Sequence, residues 1–117
     1  MDKTVNALLH GTLDALILKT LSGGPRHGYA IARWIEEATS DALQIEDGSL
    51  YPSLYRMEQK EWIEAEWGQS ELGRRVKLYR ITVTGRERLA HETQQWDTFT
   101  KVVSGILLPA PSGSPSS

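Results

Sequence analysis

A mainly α-helical fold with one small β-hairpin is predicted by three observations. Apolar residues recur at helical spacing in three short segments before residue 60. The period then switches to two between residues 63 and 83. A longer apolar pattern follows and stops at Pro109. The 117 residues are enough for one core and too few for two.

Thr12 suits the cap of a first helix, with Asp14 favourable in its first turn. Leu13, Leu16, Ile17 and Leu21 repeat at helical spacing, and Ser22-Gly23-Gly24-Pro25 stops the helix. Residues 1–7 read as frayed or loosely docked. A second helix starts near His27, which at that place reads as a capping or packing residue. It sets Ile31, Trp34, Ile35 and Ala38 on one face and ends in Thr39-Ser40-Asp41. Asp47-Gly48-Ser49 starts a third helix, because Pro52 is tolerated only near a helix start. Leu50, Leu54 and Met57 point inward. Ser49, Ser53, Arg56 and Lys60 fall away from that face, with Tyr51, Pro52 and Tyr55 beside them.

Ile63, Ala65 and Trp67 alternate with Glu64 and Glu66, the pattern of a strand. Residues 68–73 read as a loop and 76–83 as a second strand, with Tyr79, Ile81 and Val83 on one face. Trp34 and Trp67 read as core or sheet-packing residues, and Trp62 as packing under the hairpin. Thr84-Gly85-Arg86-Glu87 fits a capping box and starts a fourth helix running to about Leu108. Leu89, Trp96, Phe99, Val103 and Ile106 follow a seven-residue pattern along it, broken once by Glu92. Such a helix is about 36 Å long. Three short helices cannot cover that length, so part of this face is expected to meet a second copy of the chain. Residues 109–117 are only Pro, Ala, Ser and Gly and are expected to be disordered.

Composition removes several classes of function. The chain has no cysteine, hence no disulfide scaffold, thiolate metal site or cysteine nucleophile. His10, His27 and His91 lack the spacing of zinc ligands. There is no nucleophile with a base and no evident carboxylate pair, so the reading is not an enzyme and implies no cofactor. No apolar run of about 18 residues is present, so no membrane span is expected. The first residues lack the order of a signal peptide, which makes the cytoplasm the expected compartment. A net charge of −2 speaks mildly against nucleic acid. The distribution says otherwise: residues 74–88 hold six bases and one acid, residues 36–71 ten acids and two bases. Local patches steer a partner more than the total does.

Three compact helices followed by a hairpin and a long helix make a winged helix-turn-helix with a C-terminal dimerisation helix. The expected boundaries are 8–83 for the DNA-binding domain, 84–108 for the dimerisation helix and 109–117 for the tail. In this fold the third helix enters the major groove and the hairpin, or wing, touches the flanking backbone. Small polar residues at the start of that helix can approach base edges. The wing needs cations, because phosphates supply most of the affinity. The expected DNA contacts are Tyr29, Ser49, Tyr51, Ser53, Tyr55 and Arg56 on the helices and Arg74, Arg75 and Lys77 on the wing. Arg80, Arg86 and Arg88 come second. Asp47, Glu58 and Glu61 must then face away from DNA, and Arg56 has local acids as competing partners. The acidic stretch leaves a different reading open: a winged helix that dimerises and docks on a protein without binding DNA.

Four motifs in order carry a resemblance over roughly residues 8–108. Leu9-His10-Gly11-Thr12-Leu13 opens the first. Gly24-Pro25-x-His27-Gly28-Tyr29-x-Ile31 is the second, and Gly48-Ser49-Leu50-Tyr51-Pro52-x-Leu54-x-Arg56-Met57-Glu58 the third. Gly73-Arg74-Arg75-x-Lys77-x-Tyr79-x-Ile81-Thr82-x-x-Gly85 is the fourth. Together they resemble PadR-type transcriptional regulators in their short form. The resemblance implies a homodimer joined through the last helix at Leu89, Trp96, Phe99, Val103 and Ile106. It also implies repression at palindromic promoter sites in double-stranded DNA. Some short-form members bind flat aromatic or cationic compounds at the dimer centre through a tryptophan of that helix. Trp96 holds the matching place for a small aromatic or hydrophobic effector.

Overall fold

The computed structural model describes residues 12–108. The expectations for residues 1–7 and 109–117, and the opening of the first motif, lie outside the described residues. The described elements are α1 (Leu13–Leu21), β1 (Arg26–His27), α2 (Gly28–Ala38), α3 (Asp47–Gln59), β2 (Ile63–Gln69), β3 (Arg75–Ile81) and α4 (Val83–Leu107).

The local signals place most boundaries. Thr12 stands at the N-cap of α1, its carbonyl accepting the Leu16 amide at 3.1 Å. His27 caps α2 through Nδ1, which accepts the Ala30 amide at 3.3 Å. Pro52 lies in the second turn of α3, deeper than its sequence position suggested. The carbonyl it deprives of an amide partner belongs to Gly48, which is exposed and open to water. The last helix starts earlier than the capping box predicted. Its cap is Thr82, whose hydroxyl accepts the Gly85 amide at 2.9 Å. Val83, expected to end a strand on its buried face, is the first helical residue and is exposed.

The sheet has three antiparallel strands in the order β1-β3-β2. Arg26 and His27 pair with Tyr79 and Leu78, an edge strand too short to leave a period-two signature. The hairpin register runs from Ile63↔Ile81 to Gln69↔Arg75. Its turn is closed by the Ser70 amide on the Arg74 carbonyl (2.8 Å) and the Gly73 amide on the Ser70 carbonyl (2.9 Å).

One core joins these elements. Leu13, Ile17, Leu18 and Leu21 of α1 meet Ile31, Ala32 and Ile35 of α2 and Leu50, Leu54 and Met57 of α3. Ile63, Tyr79 and Ile81 close it from the sheet. Two expectations for α2 are corrected: Trp34 and Ala38 are exposed, and Ala32 holds the buried position. Trp67 also departs from its core reading, because it lies beyond the core on the hairpin and is 57% exposed. Trp62 packs at the edge of the core, with Lys60 and Arg88 against its ring at 4.8 and 4.9 Å.

The long helix is attached at its first turns. The Thr82 hydroxyl lies 2.7 Å from the Glu61 carbonyl and its amide 3.0 Å from the Trp62 carbonyl. A Cβ on Gly85 would stand 2.0 Å from the Trp62 carbonyl oxygen, so only glycine permits this approach. Leu89 packs against the same core. Beyond it α4 leaves the body, and the molecule extends to 60 × 31 × 21 Å. No helix of the described residues is long and apolar enough to cross a membrane.

Candidate nucleic-acid interface

Helix α3 buries Leu50, Ser53, Leu54 and Met57 and exposes the opposite side. Gly48, Ser49, Tyr51, Pro52, Tyr55 and Arg56 are exposed. At 100° per residue they form one stripe beginning at the N-terminal turn. This is the expected surface with one correction: Ser53 is 7% exposed and lies on the core side. Its position borders the Leu50–Met57 face, and a small hydroxyl packs there without cost in volume. Gly48 belongs to the stripe and was missed. A Cβ there would meet nothing within 4 Å, so another surface can approach the backbone closely.

Tyr51 links α3 to the start of α2. Its ring stands where a Cβ of Gly28 would be, 2.8 Å from the phenol oxygen. Burial first, and then the Asp47 carboxylate, push its pKa above the ordinary value, so the phenol stays a neutral donor at physiological pH. Asp47, expected to face away, therefore lies one turn before Tyr51 on the same side. Tyr29 is exposed at the start of α2, beside the ring of His27.

Ion pairs sort the remaining cations. Arg56 Nη2 lies 2.5 and 2.6 Å from the two carboxylate oxygens of Asp14 on α1. Lys77 Nζ meets Glu58 on α3 at 3.3 Å. Arg80 pairs with Glu66 at 2.6 Å and with Glu64 at 3.6 Å, and Arg88 pairs with Glu92. Arg74 and Arg75 are exposed at the tip of the wing and, among the described residues, have no ion pair. Arg56 and Lys77 thus tie elements together in the free protein, whereas Arg74 and Arg75 keep their full charge available. The pairs of Arg56 and Lys77 join residues 42 and 19 apart in sequence, so no local pattern announced them, whereas Arg88 and Glu92 are one helical turn apart.

A second surface lies on α4. Trp96, Phe99 and Ile106 are exposed, and Val103 is half-buried. These four fall within one side of the helix, and Leu107 extends it. Trp96 and Phe99 stand with ring centroids 6.4 Å apart. Leu89 departs from the expected seam in one respect: it packs against the core of its own domain.

The model of the Transcriptional regulator PadR-like family matches residues 17–91, from α1 through the wing into α4. The chain belongs to the PadR-like family. A protein of Lysinibacillus sphaericus called uncharacterized protein X is 33% identical over 96 residues, covering 82% of this chain and 88% of its own length. The structure of a transcriptional regulator from Clostridium thermocellum superposes with a TM-score of 0.79 at 27% identity, covering 86% of this chain and 97% of the other. That of a PadR family transcriptional regulator from Eggerthella lenta gives 0.79 at 29% identity and 92% of both chains. Membership makes this chain a DNA-binding transcriptional regulator of winged-helix fold, not an enzyme. Docking on a protein without DNA, the other reading of the acidic stretch, loses its support.

Proposed function

We propose that this protein is a homodimeric repressor whose two α3 helices read successive major grooves of a palindromic promoter. Residues 8–83 bind DNA and 84–108 dimerise, in the cytoplasm where the promoter lies. Ser49, Tyr51 and Tyr55 approach base edges and phosphates. Tyr29 meets the backbone, and Arg74 and Arg75 hold the phosphates flanking each groove. Arg56 and Lys77 reach DNA from their pairs with Asp14 and Glu58, with which phosphate competes. The observation that carries this reading is the charge at the wing tip, exposed and, among the described residues, without an ion pair, while Arg56 and Lys77 are engaged. A two-fold dimer through Trp96, Phe99, Val103 and Ile106 would set the α3 helices about 34–36 Å apart, one turn of DNA.

The test is fluorescence anisotropy with the duplex upstream of the protein's own gene and a scrambled duplex of equal length, at two salt concentrations. Preference for the promoter, weakening steeply with salt, is the expected result. Equal binding of both duplexes would remove this promoter as the operator, and no binding of either would overturn the reading. A small aromatic or hydrophobic effector at Trp96 completes the proposal. It must favour the DNA-free arrangement of the dimer to induce. An unchanged ligand response in Trp96→Ala would remove that part.

A further inference from the structure

The wing holds an exposed tryptophan that the core does not need. Trp67 lies near the end of β2, 57% exposed, and Leu72 beyond it is more exposed still. The register pairs Trp67 with Lys77 and Gln69 with Arg75, so Trp67, Lys77 and Arg75 share one face of the hairpin. Tyr79 continues that face inward to the core, and Lys77 joins it to α3 through Glu58. It is therefore the face of the wing that continues from the recognition helix. On it the Arg75 guanidinium lies 4.4 Å from the centre of the Trp67 ring.

From this geometry we infer that Trp67 is a positioning residue for DNA binding, holding Arg75 ready to grip a phosphate. The inference rests on the DNA-binding reading of the wing. A carboxylate partner, such as those of Arg56 and Lys77, would cancel the charge that phosphate requires. An aromatic face does not: it occupies one side of the guanidinium plane and leaves the N–H donors at its edge free. Those donors match two phosphate oxygens at once. An arginine on an exposed hairpin would otherwise lose its side-chain freedom only on binding. The ring restricts it beforehand, so less freedom is lost when phosphate is bound.

The experiment compares wild type with Trp67→Ala, Trp67→Phe, Arg75→Ala and the Trp67→Ala/Arg75→Ala double variant. All are titrated by anisotropy against the upstream and scrambled duplexes at two salt concentrations, with melting temperatures recorded. Trp67→Ala is expected to weaken binding about two- to five-fold per wing, the range of an exposed cation–π contact, and to leave the salt slope unchanged. Arg75→Ala is expected to lower the slope by about 0.9 per wing. Trp67→Phe should restore most of the loss, and the double variant should bind like Arg75→Ala alone. Wild-type affinity in Trp67→Ala, or additive losses in the double variant, would overturn the inference while leaving the wing reading intact. Unchanged affinity and slope in Arg75→Ala would overturn both.

Discussion

Between Leu13 and Ile81 each helix and both long strands bury apolar side chains in one core, whereas from Val83 to Leu107 the one buried residue is Gly85. The body is closed on itself. The helix is anchored at its first turns and then carries Trp96, Phe99 and Ile106 in the open. The two regions differ in where their stability comes from. The body draws it from contacts within one chain. Among the described residues the far part of α4 buries no side chain against the body, and a lone exposed helix is marginal in water. Its apolar side therefore suits a cover supplied by a second chain, and the same contact would fix the spacing of two DNA-reading bodies.

Four changes break or sharpen this contrast. Leu54→Ala removes a fully buried side chain from α3. It should cost about 2–5 kcal/mol and lower the melting temperature of the whole protein, read by calorimetry. Ile106→Asp puts a charge on the far seam. Sedimentation should then report monomers, and affinity for a promoter with two half-sites should fall on the order of a hundredfold or more as the linked second contact is lost. Its melting temperature should no longer rise with protein concentration, as that of a dimer does. A melting temperature that falls in Ile106→Asp at every concentration as far as in Leu54→Ala would erase the distinction between the regions.

Thr82→Ala acts at their junction. Losing the cap should cost about 0.5–2 kcal/mol in denaturant unfolding. Hydrogen exchange should quicken at the start of α4 before it quickens in α3. Arg74→Ala has the smallest thermodynamic effect. An exposed, unpaired side chain should leave stability within about 0.5 kcal/mol of wild type. The salt dependence of DNA binding should nevertheless fall by about 0.9 per wing.

Much of the site was legible because its signals are local. Asp47-Gly48-Ser49 placed the start of α3, although Pro52 lies a turn deeper than expected. The apolar spacing of Leu50, Leu54 and Met57 fixed which side of that helix meets solvent, and Gly73-Arg74-Arg75 marked the wing tip. What escaped depended on contacts across the fold. Ser53 was read as falling away from the Leu50–Leu54–Met57 face, yet its angle on α3 places it beside the core. Arg56 and Lys77 were read as DNA contacts from their places on the third helix and the wing, with a local acid as a competing partner for Arg56, and the acids they meet are not neighbours in sequence. Their carboxylates lie 42 and 19 residues away in sequence. Trp67 was read as a core or sheet-packing residue, and the hairpin outruns the core before reaching it, so its ring packs on the sheet against Arg75.

The capping box expected at Thr84 does not form, and with Thr82 as the cap the third helical position is Gly85, which has no side chain to reach back. Thr82 caps instead, because its hydroxyl and amide also meet the turn carbonyls of Glu61 and Trp62. By itself, the sequence determined the helices, the hairpin, the exposed stripe of α3 and the amphipathic last helix, because periodicity, prolines and clustered charge act over a few neighbouring residues. Only the tertiary structure decided which cations are already paired, which aromatic ring supports Arg75 and where the long helix leaves the body. Those outcomes depend on distances between segments that the chain brings together only when it folds.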